Sequence, residues 1–339
     1  MTQTASGKSS VYKCMHTNFK IRFIQRVREA RSARGVSIEQ MALQLGALAH
    51  HARDLDVAID KRISAFNHSQ LNVGEGRYRV YWSQAYAGSA AGPAGVSWYV
   101  HRRNGRSRSS TPTTKNLNHD THLASQTLQE QTLRELRALL EKRRPVREAL
   151  VRITRAVEPW QSPLTVFKTL PFEEIGRLRE ALCEHAVVRL RDAAAQLDVI
   201  DRDLEELMFD FNSHDRYTRR KLVCSWEVDQ RTSEAITGPR GPTFFQVVEV
   251  DGRRLRFRIR TPLRKSNRVN FKMTRGVKGA FSLRNTARDI VRIRAARGEH
   301  TRFLRRMLQA MRPLRGLSLL NSAEILGLSR QPSEASAST

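Results

Sequence analysis

Apolar residues recur in alternating steps of three and four from Ile38 to Phe66: Ile38, Met41, Leu45, Leu48, Ala52, Leu55, Ile59 and Phe66, with Arg62 the one gap. That period predicts a long helix carrying a heptad seam. Ser37, with Gln40 three residues on, has capping-box spacing and is expected to open it. Upstream, 18–34 reads as a separate short basic helix. A second seam, Ala186, Leu190, Ala193, Leu197, Ile200, Leu204, Leu207 and Phe211, predicts a helix over 172–211. Between the seams the period switches to two. Strands are expected at 77–82 and 96–102, followed by a turn at Asn104-Gly105 and a short polar strand. A helix over 121–157, bent or broken at Pro145, comes next. After the second seam come strands at 221–228 and 244–250.

The return strand 253–260 alternates strictly, with Leu255, Phe257 and Ile259 on one face and Arg254, Arg256, Arg258 and Arg260 on the other. The first face is expected to be core. Asp251-Gly252 is a strong two-residue hairpin signal, because a type I′ turn needs positive φ at both central positions. Such a turn sets Phe245 opposite Arg258 and Val247 opposite Arg256, placing an aromatic ring among the arginines. Lys265, Arg268, Lys272, Arg275 and Lys278 then punctuate a loop. A helix is expected to open near Thr286, with Asp289 at capping spacing. Arg284, Arg288 and Arg292 form one stripe on it beside Ala287, Ile290 and Val291. A further helix after Gly298 sets Arg302, Arg305 and Arg306 against Phe303, Leu304, Met307 and Met311.

The two halves match in order: heptad helix, strand, GPxG loop, strand, Asn/Asp-Gly turn, strand, TPxxK, helix. Phe66 and Phe211 are 145 apart, Trp82 and Trp226 144, Gly92 and Gly238 146, Gly105 and Gly252 147, Thr111 and Thr261 150. Ordered matches at a nearly constant offset imply an internal duplication. The fold class is therefore α+β: a duplicated unit of long heptad helix, small antiparallel sheet with a β-hairpin, and C-terminal helix. The organisation read from sequence is a basic segment at 1–35, a first unit at 36–158, a linker at 159–171, a second unit at 172–328 and a disordered tail at 329–339. The heptad seams are expected to pair either within the chain or in a homodimer.

Charge sharpens this reading. Of a formal net charge of +27, most comes from 252–315, where 21 Lys and Arg face two acids. Solvated faces usually mix signs, so a run of one sign points to a polyanionic partner. The exception is 171–215, with twelve acids and five arginines, which is expected to be a solvated helix face. Three scattered cysteines exclude a CxxC zinc ribbon and fit a reducing compartment. Without an apolar run of ~18 residues, no membrane span is expected, and a cytoplasmic location follows as the expectation.

Catalytic chemistry is thinly represented. Neither phosphate-cradling glycine motif occurs. His119-Asp120-Thr121-His122 lacks a third metal ligand nearby and reads as a helix start, and His50-His51 lies in the first heptad helix. Asp198, Asp201 and Glu205 share a helix face as acidic triplets often do, and His214-Asp215-Arg216-Tyr217 lacks the further arginines and histidine of a phosphotransfer site. No cofactor or metal is expected, and the chain reads as non-enzymatic. Arginine strands and stripes suit phosphate backbones, and Trp82, Trp98, Tyr99, Phe245 and Phe257 are candidate stacking rings, although core packing suits Trp98 and Phe257 better.

The order of strands, Arg275-Gly276-Val277-Lys278-Gly279, the basic helix from Ser282 to Val291 and Phe303-Leu304-Arg305-Arg306-Met307 resembles MobI-type accessory proteins of conjugative elements, over roughly 221–312. The resemblance implies a DNA-binding factor that helps a relaxase at a transfer origin. On the DNA-binding reading of the strand, loop and helix stripe, the expected nucleic-acid contacts are Phe245, Arg254, Arg256, Arg258, Arg260, Lys265, Arg268, Lys272, Arg275, Lys278, Arg284, Arg288 and Arg292. Two alternatives stay open: a structural RNA-binding protein of a ribonucleoprotein, and a nuclease or recombinase.

Overall fold

The computed structural model describes residues 7–70, 77–83, 90–102, 105–109, 123–157, 172–213, 220–227, 236–250, 253–259, 280–315 and 317. Chain order is α1 (Gly7–Ser69), β1 (Tyr78–Trp82), β2 (Val96–Arg102), β3 (Gly105–Ser109), α2 (Leu123–Ala156), α3 (Phe172–Ser213), β4 (Arg220–Glu227), β5 (Arg240–Val250), β6 (Arg253–Arg258) and α4 (Ala280–Ala310), with a 3-10 turn at Arg312–Leu314. The strands form two three-stranded antiparallel sheets, β1-β2-β3 and β4-β5-β6. The fold is α+β, and the repeat predicted from sequence is visible in the element order.

Two compact units result, each built from two segments. One comprises 1–41 with 190–305 and is called the basic unit below. The other comprises 42–189 with 306–339 and is called the N-proximal unit. Each holds one sheet together with segments of both long helices, so most of one linear repeat is completed by a helical piece of the other.

The duplication extends to individual contacts. In the N-proximal unit the core is Ile59, Ile63, Phe66, Val80, Trp98, Leu133 and Leu136, with Phe66 edge-on to Trp98 at 5.4 Å. In the basic unit it centres on Leu204, Phe211, Leu222, Trp226, Phe244, Leu283 and Ile290, with Phe211 edge-on to Phe244 at 5.3 Å. Asn67 donates from Nδ2 to the Val80 carbonyl at 2.8 Å and accepts from the Val80 N–H at 2.9 Å. Asn212 makes the same clasp on Cys224, at 2.8 Å in both directions. A side-chain amide thus offers the first strand the donor and acceptor of a backbone partner, which docks the strand on the end of the heptad helix. The seam residues Leu45, Leu48, Leu55, Ile59, Leu190, Leu197 and Leu204 are buried within the single chain.

Three helix boundaries differ from expectation. The basic helix and the first heptad helix are one continuous α1, so Ser37 caps nothing; its hydroxyl donates to the Ala33 carbonyl one turn back, at 2.8 Å. Arg31 and Arg34, just before it, are tied to acids of α3, and these ties hold that turn helical. α4 likewise starts at Ala280 and runs through both Thr286 and Gly298, and Asp289 pairs with Arg292 at 3.3 Å. α2 is not interrupted at Pro145, because its neighbours Arg143 and Val146 are buried anchors. The carbonyl of Glu141, which the proline deprives of a donor, belongs to an exposed residue and can turn to water.

The hairpin register is as expected: Phe245 opposes Arg258 and Val247 opposes Arg256. The reading of its apolar face is corrected. Leu255 and Phe257 share the face that holds Phe244 and Trp226, but they are 44% and 53% exposed, and only Ile259 packs against the core. The hairpin extends past the end of the layer that α3 and α4 cover.

Candidate nucleic-acid interface

Of the thirteen candidate contact residues, Arg260, Lys265, Arg268, Lys272, Arg275 and Lys278 lie outside the described residues, as do His119 to His122, His214 to Tyr217, the Asp251-Gly252 turn and the tail at 329–339. The other seven belong to the basic unit. Phe245 is half-buried on β5; Arg254, Arg256 and Arg258 occupy alternate positions of β6, with Arg258 exposed. On α4, Arg284 is half-buried while Arg288 and Arg292 are exposed.

These residues do not form one surface. Leu283, Ala287 and Ile290 of α4 pack on the sheet face that holds Leu222, Cys224, Trp226 and Phe244. Arg258 pairs in register with Phe245, on the opposite face. Arg258 therefore faces away from α4, and Arg288 and Arg292 face away from the sheet.

The outer face of the other sheet repeats the β5–β6 arrangement. Tyr99 of β2 stands opposite Arg108 of β3, as Phe245 stands opposite Arg258. Tyr81 and Tyr99 meet edge to face at 5.8 Å, and the Arg106 guanidinium lies 4.9 Å from the Tyr99 ring centre. The sequence marks Tyr99 as a stacking ring, whereas Tyr81 and Arg106 emerge only in the structure. The signal available for them was alternation along β1 and β3, which sets all three on one face. Trp82 and Trp98, by contrast, are not stacking platforms: Trp98 is buried, and Trp82 carries the Arg143 guanidinium at 5.2 Å.

Behind each sheet lies a buried ion network that sequence reasoning did not find. In the N-proximal unit, Asp56 accepts from Arg143 Nε at 2.6 Å and from Arg179 Nη2 at 2.5 Å. Arg143 also donates to the Pro93 carbonyl at 2.8 Å, and Arg179 to the Ala90 carbonyl at 2.9 Å. In the basic unit, Asp201 accepts from Arg297 Nε at 2.6 Å and Arg34 Nη2 at 2.7 Å. Arg297 donates to the Pro239 and Thr237 carbonyls at 2.9 and 3.2 Å and lies 5.1 Å from the Trp226 ring centre. Each network ties both long helices, the C-terminal helix and the GPxG loop together. Burial pushes the Arg179 guanidinium below its ordinary range, opposed by Asp56.

The glycine that opens each loop makes the network possible. Gly92 and Gly238 have φ of 69° and 66°, and a Cβ would stand 2.7 Å from Arg179 Nη2 at the first and 2.5 Å from Arg34 Nη2 at the second. The loop thus turns through the left-handed region and lets a guanidinium lie against its backbone.

Acids predicted to be solvated do electrostatic work. Asp198 and Asp201 both hold Arg34, and Glu205 holds Arg31 at 2.9 Å. Among the described residues, no group of three or more His, Cys, Asp or Glu is placed to hold a metal ion. Burial pushes the Cys183 thiol up to about 12 and the Cys224 thiol up further, so neither is poised as a nucleophile. Among the described residues, no helix is long and apolar enough to cross a membrane.

A cleft of about 130 Å³ opens between the second GPxG loop and α4, lined chiefly by Pro239, Gly241, Arg294, Arg297, Thr301 and Arg305. No family model, curated protein or solved structure matches the chain.

Proposed function

We propose that the chain is a non-enzymatic DNA-binding accessory protein. The observation that carries this reading is the distribution of charge in the basic unit. Asp198, Asp201 and Glu205 of α3 are engaged by Arg31 and Arg34, whereas Arg258 and Arg288, and Arg292 beside Asp289, are exposed on a stretch with almost no acid of its own. Guanidinium groups at strand and helix spacing suit phosphate oxygens, which they bind through paired N–H donors. The motif order across 221–312 supports a role beside a DNA-processing enzyme such as a relaxase at a transfer origin.

A second reading, a structural RNA-binding protein, is favoured by one observation: Tyr81, Tyr99 and Arg106 make an aromatic and cationic sheet face of the kind on which unpaired bases stack. The deciding experiment measures the affinity of the full chain for matched duplex DNA, single-stranded DNA and duplex RNA at two salt concentrations. Duplex DNA binding that survives a several-fold rise in salt supports the accessory role. Preference for RNA, or collapse of binding to every ligand, overturns it.

A further inference from the structure

The two GPxG loops sit against equivalent helices, and a 154-residue offset superposes α2 on α4: Arg143 on Arg297, Leu150 on Leu304, Ile153 on Met307 and Val157 on Met311, every one of them buried. At this offset Thr301 corresponds to Arg147. In the N-proximal unit, Arg147 lies against the loop and donates from Nε to the Pro93 carbonyl at 3.0 Å. The position is occupied by the protein's own guanidinium. In the basic unit the same position holds a threonine, whose hydroxyl turns back to its helix at the Arg297 and Gly298 carbonyls, both at 3.1 Å, and the cleft stands open.

The rim changes in the opposite sense. Leu140 and Val151 correspond to Arg294 and Arg305. Arg294 packs along Gly241, with its Cγ 3.6 Å from where a Cβ would be, an ordinary van der Waals distance. Between the copies, one cation has left the interior and two have been added at the edge. The Arg297 guanidinium in the wall is already held by Asp201 and the loop carbonyls, so the cations that face the open space are Arg294 and Arg305 at its rim. Like charges converging on an open volume favour an anion inside it, and forked N–H donors suit a tetrahedral oxyanion.

We propose that this cleft seats one phosphoryl group, with Arg294 and Arg305 as its contacts, and that the phosphoryl group belongs to the nucleic-acid backbone. The assignment of the source rests on the DNA-binding reading; the seat itself does not.

The test is Thr301→Arg in the full chain, which refills the cleft as Arg147 fills its counterpart. Two quantities are read: duplex DNA affinity as a function of salt, and the shift in melting temperature on adding inorganic pyrophosphate. If surface charge alone binds DNA, an added arginine tightens binding. If the cleft seats a phosphate, T301R weakens DNA binding despite the added charge, flattens the log–log salt slope by about one phosphate contact, and abolishes the pyrophosphate shift seen in the wild type. Equal or tighter DNA binding with an unchanged pyrophosphate shift overturns the seat while leaving the DNA-binding reading intact. Wild-type protein that ignores DNA but is protected by pyrophosphate, with protection lost in T301R, upholds the seat for a free phosphate and overturns the DNA reading. Arg305→Gln and Arg294→Gln, at exposed positions, give the same readouts should T301R not fold; unchanged slopes and shifts in both overturn the seat.

Discussion

Asp56 and Asp201 stand 145 positions apart and do the same work: each buried carboxylate accepts one hydrogen bond from each of two guanidiniums that arrive on different helices. Removing the charge at Asp56 leaves Arg143 and Arg179 buried without that counterion; at Asp201, Arg34 keeps Asp198 and Arg297 loses its carboxylate. Breaking a buried pair in this way costs about 3–5 kcal/mol. Asp56→Asn and Asp201→Asn should each lower the free energy of urea unfolding by that order. A loss below about 1 kcal/mol in both would mean that the networks relax into water and do not hold the fold.

Glycine substitutions should separate the loops from the helices. At Gly92 and Gly238, alanine meets both a left-handed φ and a buried guanidinium. Backbone strain alone costs about 1–3 kcal/mol, and displacing Arg179 or Arg34 adds to it. Gly46, on an exposed turn of α1 with nothing within 4 Å of where a Cβ would stand, is the control. Gly46→Ala should stabilise by up to about 1 kcal/mol through helix propensity. Thermal melts of the three variants check both signs; equal shifts in all three would remove the special status of the loops.

Much of this architecture is legible in the sequence. The heptad seams locate the long helices, the Asp-Gly dipeptide sets the Phe245–Arg258 register, and offsets among Phe, Trp and Gly expose the repeat. The polar half of the repeat carries the same signal in a form that is easily passed over: Arg34 and Arg179, Asp56 and Asp201, Asn67 and Asn212 share the 145 offset. By pattern alone Asp201 groups with Asp198 and Glu205 as solvated acid, because one helix's pattern does not show which arginines arrive from elsewhere. The caps expected at Ser37 and Thr286 fail for a related reason. Local capping signals are worth about 1 kcal/mol, and tertiary anchors at Arg34 and Leu283 outweigh them. The exposure of Leu255 and Phe257 is invisible in sequence because alternation names a face without saying how far the covering helices reach.

His51 gives a pH dependence. It is buried, and its Nδ1 has no hydrogen-bond partner among the described residues. Burial holds the imidazole below its ordinary 6.5, with Asp54 pulling weakly the other way. The unfolded chain therefore takes up a proton at this site before the folded chain does. The contribution to stability is whole above about pH 6.5 and is lost as pH falls towards the folded-state value. His51→Gln removes the titration, so stability should fall less between pH 7.5 and 5.5 in the variant than in the wild type. Parallel curves would show that His51 takes up its proton equally in both states.

The arginines of the basic unit make the functional prediction. Arg258 and the Arg288–Arg292 pair leave opposite sides of the α4–sheet layer, so removing one set does not disturb the packing of the other. Arg256→Ala with Arg258→Ala, which share a sheet face by register, should leave the melting temperature nearly unchanged and should weaken duplex DNA binding. Each lost phosphate contact flattens the log–log salt dependence by about 0.9, so this double variant should flatten it by about 1.8, and so should Arg288→Ala with Arg292→Ala. Because the sets leave opposite sides of the layer, the fourfold variant should lose the sum of the two effects. If only one double variant changes the slope, the DNA runs along that side of the layer alone. If neither changes it while both fold, the exposed arginines are not the contact surface, and the aromatic face of Tyr81 and Tyr99 becomes the place to look.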